Sequence, residues 1–166
     1  MDFVRFNNPE QNDSWIYKKH METFGGWLQT HLMHNSTIEE QFFLLSGSPS
    51  STISTFQGYE INGNIFFTTT QDMKSTNQNS GVRFDDTGKM DTYYGLIDEI
   101  WEPDYGPSFK VPLFRCKWVN LKGGVKVDPQ YGMTTVDLNN LGYDTEPFVL
   151  ANDVAQVFYV KDMSTK

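Results

Sequence analysis

Residues 111–119 read VPLFRCKWV, and the order of their side chains indicates a β-strand with one buried face. Successive side chains of a strand point to opposite faces, so Phe114, Cys116 and Trp118 share an apolar face while Arg115 and Lys117 point the other way. We therefore expect a sheet whose interior is filled by aromatic rings. The single cysteine of the chain becomes a core residue.

Similar segments lie on both sides of this strand and alternate with turn residues. Asn62-Gly63 supplies the positive φ angles of a tight hairpin turn. Short strands separated by turn signals at intervals of about ten residues are typical of an antiparallel sandwich or small barrel. The predicted strands are 52–56, 59–61, 64–70, 81–85, 91–102, 109–120, 125–137 and 156–161.

The strand at 91–102 does not keep a simple alternation, because apolar and acidic residues alternate in pairs from Leu96 to Trp101. Gly95 is expected to mark a bend or bulge that re-aims the side chains, or both faces of the strand are partly covered. Asp98 and Glu99 adjoin on this strand and are expected to point to opposite faces.

The first fifty residues predict helices. Between Asp13 and Leu32 the apolar residues recur every three or four positions, which is the period of an amphipathic helix. Asp13 or Ser14 is the expected cap, and Gly25-Gly26 predicts a kink or break. A capping box at Ser36-Thr37-Ile38-Glu39 begins a second, shorter helix that extends to Leu45.

The expected fold class is therefore α+β, mainly β. A helical N-terminal arm with two helices covers residues 1–50, a hairpin and polar linker covers 51–80, and a small antiparallel β-barrel of the SH3-like kind covers 81–162. The linker prediction rests on residues 71–80, QDMKSTNQNS, which include one apolar residue in ten.

The charges are segregated along the chain. The net charge of −8 argues against the broad positive face of a dedicated nucleic-acid binder. Residues 85–104 hold seven acids and one lysine, whereas 105–127 hold five basic residues and no acid. Charge pairs between neighbouring strands are the first interpretation. A small anion-binding face is the second, and its candidate nucleic-acid contacts are Lys110, Arg115, Lys117, Lys122 and Lys126.

The sequence offers little to enzymatic chemistry. His20, His31 and His34 lie in the helical arm without a third zinc ligand of defined geometry, and packing is the expected role of His20 and His31. No serine lies in a nucleophile elbow, and no glycine run forms a phosphate loop. No apolar run approaches the roughly 18 residues that cross a bilayer. We expect no catalysis, no cofactor, no metal, no small-molecule substrate and no membrane partner.

Aromatic residues make up 15% of the chain and suggest a binding function. Two or three rings that converge near acidic residues form a cage for a methylated lysine through cation–π attraction. Core packing is the alternative. The candidate peptide-binding residues are Tyr94, Trp101, Tyr105 and Trp118, and Tyr93 and Tyr131 also lie on or beside predicted strands.

Blocks of sequence follow the order found in one plant family. They read GYEING at 58–63, YYGLIDEIWE at 93–102, VPLFRCKW at 111–118, GVKVD at 124–128 and PFVLA at 147–151. Together they resemble a domain of unknown function, numbered four-two-one-six, which is encoded beside the transposase-like region of CACTA (En/Spm) elements. The part that corresponds to the family domain proper is about 85–160.

This resemblance implies an intracellular, nuclear mobile-element protein of a plant, whose partners are a transposase-related protein or chromatin. It implies no catalytic residue, and the missing transposase-like region is expected of a truncated element copy. The start of the 94–102 strand is also similar to bromo-adjacent-homology (BAH) barrels that bind chromatin proteins. We expect a non-catalytic accessory or interaction module with weak or no DNA binding by this chain alone. The alternatives are DNA contact through the basic stretch and reading of a chromatin peptide through the aromatic strands.

Overall fold

The longest strand of the computed structural model is β5 (Asp91–Pro103), and it lies in the middle of an antiparallel sheet. The structure describes residues 2–33, 45, 47, 49, 50, 52–106 and 109–163. Two compact units divide the chain. The first comprises Met1–Thr52 and Asp104–Lys110, and the second comprises Ile53–Pro103 and Val111–Lys166.

The helices are α1 (Asp2–Asn7), α2 (Asp13–Met33), α3 (Thr69–Asp72) and α4 (Leu121–Gly124), and a 3₁₀ turn covers Ala151–Asp153. The other strands are β1 (Ile53–Phe56), β2 (Gly58–Ile61), β3 (Asn64–Phe67), β4 (Gly81–Asp86), β6 (Leu113–Val119), β7 (Val125–Val127), β8 (Thr134–Val136), β9 (Leu141–Gly142), β10 (Phe148–Leu150) and β11 (Val154–Gln156).

The central strand β5 changes partner along its length. Its first half pairs with β4 and its last four residues pair with β1, while β6 pairs with its other side. The path through the sheet runs β10–β6–β5–β4–β11, and β9 adds to β6. Residues 71–80 lie in the same compact unit as the strands that precede and follow them.

The sheet is open. In the described part of the chain no ladder joins β10 to β11, so the predicted closed barrel is wrong, whereas the mainly β class with a few helices is confirmed. A barrel closes only when its first and last strands pair. Both of these strands are three residues long and lie at opposite ends of the path, so neither SH3-like nor BAH-like closure is present.

The longer helix of the arm begins where the sequence predicts, whereas α1, which precedes it, was not predicted. Helix α2 starts at Asp13, but the side chain of Asn12 provides the cap by accepting a hydrogen bond from the Trp15 amide at 2.9 Å. The helix continues through Gly25-Gly26 without the predicted break. The second predicted helix, 36–45, lies outside the described residues except for Leu45.

The hairpin of β2 and β3 forms at the predicted turn. Asn62 and Gly63 have φ angles of 53° and 76°, as a two-residue hairpin turn requires. The hairpin buries Phe66 against Phe114 of β6, with ring centroids 5.1 Å apart. The preceding predicted strand, 52–56, appears as β1 and pairs with β5.

Three predicted strands differ from the observed ones, and the first of them, 64–70, is a strand only as far as Phe67 because α3 begins at Thr69. The segment 125–137 splits into β7 and β8 around a turn in which Gly132 has a φ of 66°. The segment 156–161 is regular only as far as Gln156, where β11 ends. Beyond it, the amide of Val157 donates to the carbonyl of Gly81 at 2.9 Å and the hydroxyl of Tyr159 donates to the carbonyl of Gly95 at 3.0 Å, so one backbone bond and a side chain hold this part of the chain.

The core occupies one face of the sheet. Phe114, Cys116 and Trp118 of β6 are 0%, 5% and 4% exposed, which confirms the predicted apolar face. Ile97 and Ile100 of β5 pack in the same cluster. Burial of large side chains next to several rings is the main favourable contribution to the stability of this unit.

A β-bulge lies at Asp98, three residues after the predicted site at Gly95. The register passes from Ile97↔Cys116 to Glu99↔Arg115 and leaves Asp98 without a ladder partner. An extra residue shifts the alternation by one, so Asp98 and Glu99 both reach Arg115, each at 2.9 Å. The expectation that the two acids point to opposite faces is therefore wrong.

The raised pKa values of two tyrosines predict that the protein loses stability at alkaline pH. Burial, together with a 2.7 Å hydrogen bond donated to Glu102, raises the pKa of Tyr59 from 10.0 to about 12. Burial also raises the pKa of Tyr159. Because the folded-state pKa exceeds the unfolded one, this stabilisation is complete below about pH 10 and is lost as the pH rises toward about 12.

We expect the free energy of unfolding in urea to fall across this window, and to fall less steeply in Tyr59→Phe. Tyr131→Phe is the matched control, since Tyr131 is 72% exposed. Identical pH profiles of the wild type and Tyr59→Phe would contradict the prediction.

Candidate functional site

An aromatic pocket of about 360 Å³ lies beside the core of the second unit. Its rings come from Phe84 of β4, Tyr93 of β5, Trp118 of β6, Tyr143, which precedes β10, and Phe148 of β10. The first four rings also belong to the core cluster or pack against it. The walls of the pocket are therefore held by the sheet itself.

Tyr93 is the common neighbour of the rings of Phe84, Trp118 and Tyr143. Its centroid lies 5.3 Å from that of Tyr143 and 6.4 Å from that of Trp118, with interplanar angles of 82° and 70°. Phe84 stacks on it at 6.2 Å and 30°. Two nearly perpendicular pairs turn ring faces in different directions, which suits a concave aromatic corner.

Hydrogen bonds fasten the segment that carries Tyr143. The indole nitrogen of Trp118 donates to the carbonyl of Pro147 at 3.2 Å, and the amide of Glu146 donates to the carbonyl of Tyr143 at 3.0 Å. Tyr143 itself has a φ of 64°, an angle that few residues other than glycine adopt. The backbone conformation of this segment therefore determines where the ring lies, and the alternation of side chains along a strand does not.

The polar lining of the pocket carries an excess of negative charge. Asp86, Glu146 and Asp153 face a single cation, Lys89, whose Nζ lies 3.8 Å from a carboxylate oxygen of Asp86. Burial raises the pKa of Tyr93 above its ordinary value of 10.0, and a phenol is neutral near pH 7 even without that shift. Three carboxylates and one ammonium give a potential that favours a cationic ligand.

This arrangement suits an organic cation. A positive group over an aromatic face gains about 0.5–2 kcal/mol, and more when it is desolvated. Carboxylates at the rim add attraction at longer range. The pocket can therefore bind an alkylated ammonium by the combination of rings and acids.

One of the four predicted peptide-binding residues lies in this pocket, Trp118. Tyr94 pairs with Arg83 in the sheet, and the indole of Trp101 donates to Glu99 at 2.7 Å on the face opposite the core. Tyr105 belongs to the first unit. The sequence hypothesis named Tyr93 but missed Phe84, Tyr143 and Phe148.

The predicted nucleic-acid contacts are distributed differently. Arg115 bonds Asp98 and Glu99, and Lys117 lies 2.6 Å from Asp98. These contacts are the charge pairs between strands that the first interpretation predicts. Lys122 and Lys126 are exposed on α4 and β7. Lys110 belongs to the first unit, where its backbone forms an isolated antiparallel β-bridge with Asp104.

Two histidines of the arm lie beside aromatic rings, His31 at an exposed position, and His34 lies outside the described residues. His20 lies 5.2 Å from Phe24, and His31 lies 5.1 Å from Trp27. Across the described ranges, no three histidine, cysteine, aspartate or glutamate side chains are grouped to hold a metal ion. Burial raises the pKa of the Cys116 thiol.

No helix within the described residues is long and apolar enough to cross a membrane.

Comparison with known families gives one match. Residues 101–166 match a family model described as a domain of unknown function, DUF4216. The matched part contains Trp118, Tyr143 and β10, whereas Phe84 and Tyr93 precede it. No curated protein and no solved structure matches the chain.

Proposed function

We propose that the chain is a non-catalytic interaction module that binds a peptide bearing a methylated lysine. The supporting observation is the pocket, in which Tyr93, Trp118 and Tyr143 form an aromatic corner beside an excess of carboxylates. Aromatic walls and acids are the two elements of a cation–π recognition site.

Methylation suits this lining better than an unmodified ammonium does. An unmodified ammonium is a compact, strongly hydrated charge with three hydrogen-bond donors. Methyl groups remove those donors and enlarge the cation, so ring faces replace water at lower cost. The trimethylated side chain is the form we expect to bind most tightly.

We place the module in a CACTA-type transposase-related protein of a plant, acting in the nucleus. This context is supported by the sequence blocks of the resemblance and by the family match at 101–166. Chromatin carries methylated lysines, which makes a chromatin peptide the natural ligand. DNA contact has weaker support, because Arg115 and Lys117 are engaged with acids.

A titration with lysine peptides tests the proposal. We expect the trimethylated peptide to bind at least about tenfold more tightly than the unmodified one, and Glu146→Gln to weaken it about fivefold, equivalent to roughly 1 kcal/mol. Lys89→Gln should strengthen binding, because it removes the cation of the pocket itself. Calorimetry or Trp fluorescence measures the affinities.

Glu60→Gln is the matched control, since Glu60 is exposed on the hairpin and does not line the pocket. Equal affinities for the trimethylated and unmodified peptides would refute the proposal. So would a Glu60→Gln effect as large as that of Glu146→Gln.

A further inference from the structure

Strand β10 is the edge strand of the sheet that lies beside the pocket. It pairs with β6 on one side, and in the described part of the chain no strand pairs with its other edge. All three of its residues line the pocket. Phe148 and Leu150 are 43% and 44% exposed, so this edge is accessible.

The pairing with β6 determines which backbone groups face outward. The amide of Cys116 donates to the carbonyl of Pro147 at 2.9 Å, and the amide of Ala151 donates to the carbonyl of Pro112 at 3.0 Å. In an antiparallel pair, hydrogen-bonded and non-hydrogen-bonded residues alternate. Phe148 and Leu150 are therefore the residues whose N–H and C=O groups point to the open edge.

We infer that the peptide ligand adds to β10 as a further strand, with its backbone bonded to Phe148 and Leu150 and its methylated lysine in the pocket. The inference rests on the proposed function and specifies its binding mode. Addition of a strand to a sheet edge supplies affinity through main-chain bonds, and a side-chain pocket supplies specificity. The acids of the pocket, Asp86, Glu146 and Asp153, complement a cationic side chain.

The pleat of the sheet sets the pattern of the peptide. Alternate side chains point to opposite faces, so the lysine shares the core-side face with Val149, which is 8% exposed. The residues on either side of it then lie on the other face, beside Phe148 and Leu150. We expect apolar residues at these two positions of the peptide.

Leu150→Pro tests the main-chain bond. Leu150 has φ −65° and ψ 133°, and proline fixes φ near −65° while removing the N–H. Since this amide does not bond β6, the substitution is compatible with the fold. We expect the affinity for the trimethyl-lysine peptide to fall at least about tenfold. Leu150→Ala, the matched control, loses the same pocket-lining side chain but keeps the N–H, so it should bind the peptide at least about tenfold more tightly than Leu150→Pro does.

A second probe separates this inference from the proposed function. The free amino acid Nε-trimethyl-lysine carries the cation but is too short to add as a strand, so Leu150→Ala and Leu150→Pro should bind it equally. Equal peptide affinities of the two proteins would overturn the strand addition and leave the pocket intact. If the wild type binds neither probe, the proposed function itself fails.

Amide hydrogen exchange of the wild-type protein gives a test that needs no variant. The amides of Phe148 and Leu150 should become protected when the peptide binds and remain unprotected with the free amino acid. Unchanged exchange at both amides in the peptide complex would refute the inference, whether or not Leu150→Pro folds.

Discussion

Gly95→Ala is expected to lower the free energy of unfolding by about 3 kcal/mol. A Cβ at this position would lie 2.7 Å from the carbonyl oxygen of Lys117 and 2.8 Å from Cε3 of Trp118. One contact is backbone and the other is a buried ring, so neither moves aside easily. Relief requires β5 and β6 to separate, which also displaces a wall of the pocket.

Gly142→Ala provides the control within the same sheet. Its added Cβ would have Asn120 as its nearest neighbour, at an ordinary 3.4 Å. We expect a change below about 0.5 kcal/mol for this variant. Urea denaturation measures both, and comparable losses would contradict the close approach of β6 to Gly95.

Asp72→Ala is expected to lower the free energy of unfolding by a similar amount, about 3 kcal/mol. The carboxylate accepts hydrogen bonds from the amide of Asn79 at 3.0 Å and from the amide of Ser80 at 2.8 Å. Ser80 is 2% exposed, so water cannot easily replace the lost acceptor. Its carbonyl accepts from the amide of Ile97 at 2.9 Å, which connects this loop to the central strand.

Asp72→Asn keeps one side-chain oxygen and should lose about half as much stability. Asp144→Ala is the control at an exposed aspartate, with an expected change within about 0.5 kcal/mol. Urea denaturation gives the stabilities, and hydrogen exchange at the Ile97 amide should accelerate in Asp72→Ala alone. A loss no larger than that of Asp144→Ala would show that the loop does not need this carboxylate.

Local periodicity predicts the strands but not the way they meet. The buried face of β6 follows from alternation within the strand, since Phe114, Cys116 and Trp118 are two apart. The bulge at Asp98 depends on the register with β6, which the sequence of β5 does not contain. Closure was predicted wrongly for the same reason, because it depends on how far β10 and β11 extend at the ends of the sheet.

The residues of the pocket also differ in whether the sequence alone could predict them. Trp118 could be predicted because it belongs to a regular strand, and Tyr93 shares the core-side parity of Gly95 and Ile97. Tyr143 could not, since its ring is placed by a positive φ angle and by the packing of the segment before β10. Trp101 lies beyond the bulge, where a parity counted from Tyr93 no longer holds.

The pairing of β1 with the end of β5 affects how the chain folds during synthesis. Partners such as Ile53 and Pro103 are separated by roughly fifty residues, so pairing waits for a long-range encounter. A ribosome that adds about 5–20 residues per second needs roughly 3–10 s to deliver the partner. During that interval β1, with Ile53 and Phe56, is the kind of unpaired apolar segment that chaperones cover on nascent chains.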